Sequence, residues 1–248
     1  MLKIQNVYKT YHVGQRQITV LAGADFEIKK GEFVVLFGPN GCGKTTLLNI
    51  VAGLQRADNG QVEKPASARI SFVFQNFRDA LFPWLKIGEN IALPLKLQSQ
   101  DRRLREKKVR ALLEKLKISL DVNAYPYQLS SGQQQLAAIL RGIIEPVDLL
   151  IMDEPFSSLD YRTALLIEQK LLEFWQMFKF TVLFVTHAAG EAVLLADRIL
   201  IMSDKPSRII SQIPVELPRP RSYEIITSPE FNQIKEQVIR SLIKGKTI

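Results

Sequence analysis

The chain has 248 residues, 46% of them hydrophobic, 8% aromatic and 23% charged, which excludes a disordered, collagen-like or disulfide-stapled polypeptide. Its 33 basic and 25 acidic residues leave a net charge of +8, open to three readings: a nucleic-acid partner, an anionic membrane face, or simple solubility with a phosphate-bearing ligand. No stretch reaches the roughly 18 apolar residues of a membrane helix, MLKIQNVYKTYHVGQRQ does not read as a signal peptide, and Cys42 is the only cysteine, so the expectation is a cytosolic protein without an intramolecular disulfide.

Along the chain, Ala24 to Lys29 alternate apolar and polar side chains, the period of a strand with one wet face, and Lys30-Gly31 ends it, so the N-terminal part reads as antiparallel. From Phe33 the run FVVLF is apolar at every position, as in a central parallel strand covered on both faces, and LLIM at Leu149 to Met152 and TVLFVT at Thr181 to Thr186 repeat that pattern. Residues 76–145 show helical periodicity and no convincing buried strand. Within them DRRLREKKVR leads into Val109, Leu112, Leu113 and Leu116 at helical spacing, which favours a solvated helix face over a nucleic-acid arm. Beyond Ser203 prolines punctuate short strand-like pieces, and Phe231, Ile234, Val238 and Leu242 mark an amphipathic terminal helix.

After the first buried strand, Gly38, Pro39, Asn40, Gly41, Cys42, Gly43, Lys44 and Thr45 fit GxxxxGK[ST] at every fixed position, and Thr46 to Ile50 continue as a helix with Gly53 as its C-cap. Strand before and helix after argue against a chance match in a surface loop. Glycines let successive backbone N–H groups point inward at a polyanion, and the following helix offers its positive end. Lys44 suits the β- and γ-phosphates and Thr45 suits Mg²⁺, while Cys42 reads as a small side chain whose thiol is not required for chemistry. Asp153 closes the second buried strand at the edge where open α/β sheets bind ligands and suits Mg²⁺; Glu154 beside it can polarise a water for attack on the γ-phosphoryl group.

Leu129-Ser130-Ser131-Gly132-Gln133 resembles LSGGQ, the signature of the ATP-binding subunits of ABC transporters, and the resemblance covers nearly the whole chain. Further landmarks follow in that family's order: Gln75 after RISFVF, Pro155 with Ser158-Leu159-Asp160, His187 after TVLFVT, and Tyr11 in KTY as the adenine-stacking aromatic. The resemblance implies a P-loop NTPase α/β core with a mostly parallel sheet, an N-terminal antiparallel β subdomain and an inserted helical subdomain. The boundaries are 1–75 and 146–220 for the core, 76–145 for the helical subdomain with the signature, and 221–248 for a short helical tail.

It also implies ATP and Mg²⁺ as cofactors, with Thr45, Gln75 and Asp153 toward the metal and Glu154, Gln75 and His187 in catalysis. The phosphate loop, Thr46 and Tyr11 would bind one nucleotide, the signature residues Ser130, Ser131, Gly132 and Gln133 would grip the nucleotide of the opposite subunit, and Asp160 would be a further nucleotide-binding residue. Two ATP molecules would thus be held between two chains, a homo- or heterodimer. Tyr11 as an ordinary strand aromatic and His187 as a structural residue stay open. Ser131 departs from the first signature glycine and Leu136 from a usual arginine, whereas Arg141 matches.

A transporter ATPase of this kind docks on a separate permease at the cytoplasmic face of the membrane, with an extracytoplasmic substrate-binding protein as an indirect partner. Phe77, Leu81, Phe82, Pro83 and Trp84 are either subdomain core or the groove for a permease helix. LFPWLKIGENIALPL and PSRIISQIPVELPRPRS are similar to the nitrate, sulfonate, taurine and bicarbonate importers, implying a small anion as cargo. The rival reading is a non-transport ABC ATPase acting on nucleic acid or ribosomes. A single compact cassette disfavours it, and no nucleic-acid partner is expected.

Overall fold

In the computed structural model, residues 2–75, 80–98 and 100–244 are described. The chain divides into two units, Met1–Ala68 with Lys179–Ile248, and Arg69–Phe178.

In the first unit β1 (Leu2–Val13) and β2 (Arg16–Ile28) turn about Gly14, whose φ of 60° suits a residue without a side chain, and β4 (Asn59–Glu63) pairs with the other edge of β1, giving the antiparallel order β2-β1-β4. The alternation at the end of β2 is real: Ala24, Phe26 and Ile28 are buried while Asp25 and Glu27 are exposed. The strand also extends back to Arg16, where it pairs with the exposed tip of β1 and therefore carries no inward-facing apolar pattern.

The remaining strands of this unit are β3 (Phe33–Phe37), β7 (Thr181–Thr186), β8 (Arg198–Met202) and β9 (Ile209–Pro214), in the order β7-β3-β8-β9. The first three run parallel and β9 runs antiparallel to β8. Every residue of β3 and β7 is buried, as their uninterrupted apolar runs require. β8 is a buried parallel strand that the apolar-run reading did not count. It opens on Arg198, whose charge is absorbed by Glu32 at 2.9 Å and whose Nη2 donates to the Glu27 carbonyl.

Helix α1 (Lys44–Ala52) follows β3 and ends on Gly53 at φ 81°, α7 (Ala189–Leu195) follows β7, and α8 (Pro229–Lys244) buries Phe231 and Val238. Arg221, 2% exposed, donates to the carbonyls of Val193, Leu194 and Ala196 at the end of α7 and to those of Val215 and Leu217. It thereby satisfies carbonyls that a helix C-terminus leaves without intrahelical partners. Burial pulls its pKa down to about 10, still far above neutrality, so the group remains a cation.

In the second unit β5 (Ile70–Val73) pairs in parallel with β6 (Leu149–Asp153). Between them lie α2 (Ile87–Ile91), α3 (Leu93–Leu97), α4 (Arg102–Lys115), a 3₁₀ turn (Pro126–Gln128) and α5 (Ser131–Ile143), and α6 (Tyr161–Phe178) ends the unit. Asp101 caps α4 by accepting the N–H groups of Arg103 and Leu104, and Val109, Leu112, Leu113 and Leu116 are buried at the spacing that marked the helix. Asn90 is fully buried and satisfied, accepting from Phe82 N–H at 2.8 Å and donating to the Phe82 and Leu85 carbonyls, which fixes the turn before α2.

Candidate functional site

The first unit carries the phosphate loop. Gly41 and Gly43 sit at φ 74° and 115°, conformations that bend the backbone into a cradle, and a Cβ at Gly43 would meet Val20 Cγ1 at 2.6 Å, so only glycine fits there. The buried Lys44 ammonium donates to the carbonyls of Gly38 and Pro39, each at 3.0 Å, holding the charge at the loop itself. Thr45 is exposed at the start of α1, beside Thr46. Cys42 is buried, and that burial raises the pKa of its thiol, in keeping with a packing side chain.

Ser207 was not legible as a site residue. Fully buried, its hydroxyl lies 2.6 Å from the Val20 carbonyl and also against the Cys42 carbonyl of the loop. A hydroxyl has one proton, so it serves one acceptor at a time. The serine belongs to a loop far along the chain, and no local motif announces such a contact.

Tyr11 stands near the exposed tip of β1 with its hydroxyl bonded to the Gln55 amide, 2.9 Å to Oε1 and 2.7 Å to Nε2. Lys9 lies 5.7 Å from the ring centroid and pairs with Asp58 at 2.6 Å, and Asp58 also accepts Thr10 N–H. These bonds hold the Asp58 carboxyl below its ordinary range. The ring is thus steered from its edge while remaining part-exposed. His187 is exposed directly after β7. The turn around it is shaped by Thr186, whose hydroxyl donates to Glu191 at 2.6 Å and accepts Ala188 N–H at 2.9 Å. Gln55, Thr186 and Glu191 are supporting residues that the sequence did not reveal.

The second unit carries the acidic and signature residues. Asp153 is 5% exposed at the end of β6. Glu154 follows at φ 42°, a left-handed conformation unusual for a residue with a side chain, and its carbonyl accepts from the Ser157 N–H and hydroxyl. Strained backbone of this sort concentrates at functional sites. Asp160 caps α6 through Thr163 N–H at 3.0 Å, and the bonds from Thr163 lower its carboxyl pKa.

Ser130 is the N-cap of α5. Its hydroxyl accepts Gln133 N–H at 3.3 Å while Gln133 Oε1 accepts Ser130 N–H at 3.0 Å, a reciprocal capping box that leaves Ser130 exposed at a helix N-terminus. Gln133 is therefore occupied as a cap. Ser131 lies in the first turn at ordinary helical φ, so the missing glycine imposes no backbone strain. Gly132 is buried against α6, where a Cβ would run into Thr163 Cγ2. Arg141 further along α5 donates to the Ala80 carbonyl at 2.7 Å.

Gln75 is exposed at the end of the β5 segment. Of the aromatic cluster that follows, Leu81 is core, whereas Phe82 and Trp84 are 36% and 69% exposed with ring centroids 5.2 Å apart; Phe77 lies outside the described residues. Thr45 in the first unit and Asp153 and Gln75 in the second each carry a hard oxygen donor, the chemistry that suits Mg²⁺. Among the described residues there is no cluster of three or more His, Cys, Asp or Glu side chains suited to an all-protein metal cage. Among them, too, no helix is long and apolar enough to cross a membrane.

Comparison with known proteins gives the family and the fold. The family described as ABC transporter matches residues 21–157. An aliphatic sulfonates import ATP-binding protein of Bacillus cereus is 38% identical, over 100% of this chain and 98% of the relative. An uncharacterised ABC transporter ATP-binding protein of Methanocaldococcus jannaschii is 35% identical, over 97% and 94%. Among solved structures, a dimeric ATP-binding cassette in a post-hydrolysis state with ADP and Pi superimposes with a TM-score of 0.75 at 31% identity, covering 88% of this chain and 100% of that one. A dimeric bacterial ABC transporter cassette does so with a TM-score of 0.76. The chain belongs to the ABC transporter family, as one of its ATP-hydrolysing cassettes.

Proposed function

We propose that this ATPase is the motor subunit of an importer for a small anion of the sulfonate, nitrate, taurine or bicarbonate kind, working as a dimer beneath a separate permease at the cytoplasmic face of the membrane. The observation that supports the reading is that one chain presents two motif-bearing helix N-termini, α1 beginning at Lys44 and α5 capped by Ser130, each suited to an anion. With two copies face to face, the phosphate loop of one and the signature of the other grip the same nucleotide. The names of the sulfonate relatives support the cargo class, and the exposed pair Phe82 and Trp84 supports a docking surface for a permease helix.

In this cycle the loop amides and Lys44 orient the β- and γ-phosphates, Tyr11 stacks on the base, and Thr45, Asp153 and Gln75 hold Mg²⁺. When bound, the metal neutralises charge on the phosphate oxygens. Glu154 takes the proton of the attacking water, His187 donates to a γ-phosphate oxygen, and Asp160, Ser130, Ser131 and Gly132 close the opposite side. Phosphate release reopens the dimer and returns the docked permease to its resting state.

The test is co-purification with the permease followed by phosphate release in the presence of a cargo-loaded extracytoplasmic binding protein. The reading expects stimulation by an alkylsulfonate or related anion. Stimulation by RNA or DNA, with no membrane partner retained, would overturn it.

A further inference from the structure

The helical segment of the second unit encloses a cleft of about 290 Å³ between α2 and α3 on one side and α4 on the other. Its apolar lining comes from Leu85, Ala92, Val109 and Val122. The floor is built in: Gly88 N–H donates to the Val122 carbonyl at 2.9 Å, and a Cβ on Gly88 would press on Val122 at 3.2 Å.

Around this floor stand five basic side chains, Lys86, Lys96, Arg102, Arg105 and Arg110, against two acidic ones, Glu89 and Glu106. Both carboxylates are already engaged, Glu89 with Lys86 N–H at 3.0 Å and Glu106 with Arg102 at 2.9 Å. Lys86, Lys96, Arg105 and Arg110 have no acidic partner among the described residues, and Arg105 Nε is shut away from solvent with no acceptor. Gathering like charges is unfavourable, and so is a buried N–H without a bond. An anion seated in the cleft relieves this crowding of like charge, and the apolar floor favours one that carries hydrocarbon. The volume lies at the lower end of small-ligand pockets, which suits a small molecule rather than a peptide segment.

We propose that this cleft is a binding site for a small oxyanion bearing a short apolar group, a phosphate or sulfonate ester-like or alkyl species, which bridges α3 and α4 and stiffens the helical segment that also carries Ser130. The site is separate from the nucleotide chemistry and does not depend on the identity of any cargo.

The experiment is calorimetric titration of the full chain, saturated with Mg·ADP so that the phosphate loop is occupied, using butanesulfonate and inorganic sulfate as probes. The proposal expects saturable binding of one butanesulfonate per chain, several-fold tighter than sulfate, and weakened about tenfold or more in Arg105→Gln and in Lys96→Gln. Thermal melting of the unliganded variants verifies that they fold, and Lys96→Gln decides the matter alone should Arg105→Gln not fold. Absence of saturation at about 10 mM probe, equal affinity for sulfate, or undiminished binding in the folded variants overturns the proposal. Vesicles of phosphatidylglycerol form the third arm. Retention on them that Arg105→Gln abolishes, without butanesulfonate binding, would assign the cleft to a lipid headgroup and overturn the small-molecule site.

Discussion

The Cγ2 methyl of Thr163 on α6 fills the space into which a side chain at Gly132 on α5 would project. Gly132→Ala therefore forces α5 away from α6 and is expected to cost about 1–3 kcal/mol, as overpacking does, and to reduce ATP turnover through the displaced signature. Thr163→Ser removes the obstructing methyl while keeping the hydroxyl that serves Asp160, so the double variant should recover most of both losses. Melting temperature and phosphate release measure it. No recovery would place the fault elsewhere than in this contact.

Glu154→Gln keeps the shape of the side chain and removes its basicity. Phosphate release should fall at least about a hundredfold, while nucleotide affinity stays within about threefold of the parent and light scattering reports a dimer that persists with Mg·ATP. Undiminished hydrolysis would remove Glu154 from the role of base.

Tyr11 offers a split between ring and hydroxyl. Stacking on a base is worth about 1–3 kcal/mol, so Tyr11→Ala should raise KM for ATP by about tenfold with kcat little changed. Tyr11→Phe, which loses only the bond to Gln55, should raise it by no more than about threefold. Equal effects of the two variants would argue for the hydroxyl and against stacking.

Arg221 supports five carbonyls at once. Arg221→Leu leaves them buried without a donor and should cost about 3 kcal/mol, lowering Tm by about 6–12 °C for a protein of this size. A melting scan at neutral pH reads this directly, and a change smaller than a degree or two would show that water takes over the carbonyls.

What was legible in the sequence was local. The phosphate loop could be read because its glycines, Lys44 and the flanking apolar run are contiguous, and the signature because Leu129 to Gln133 form one unbroken string that resembles LSGGQ. The amphipathic helices α4 and α8 announced themselves by periodicity. β8 escaped because its first residue is a charged arginine neutralised by Glu32, a partner remote in sequence. Ser207 and Gln55 escaped for the same reason: each acts on partners remote in sequence, and a single side chain leaves no pattern. The basic run in α4 read as a wetted face, and Arg102 fits that description. Arg105 does not, because it is half-buried at the cleft wall and its Nε is shut away from solvent.

The grip of Arg221 on the end of α7 ties the last stretch of the chain to the helix that begins two residues after His187. A truncation from Pro220 onward would discard what looks like a dispensable tail. It would also unfasten the far end of the histidine's own support, so a fault introduced at the periphery would surface as slower chemistry.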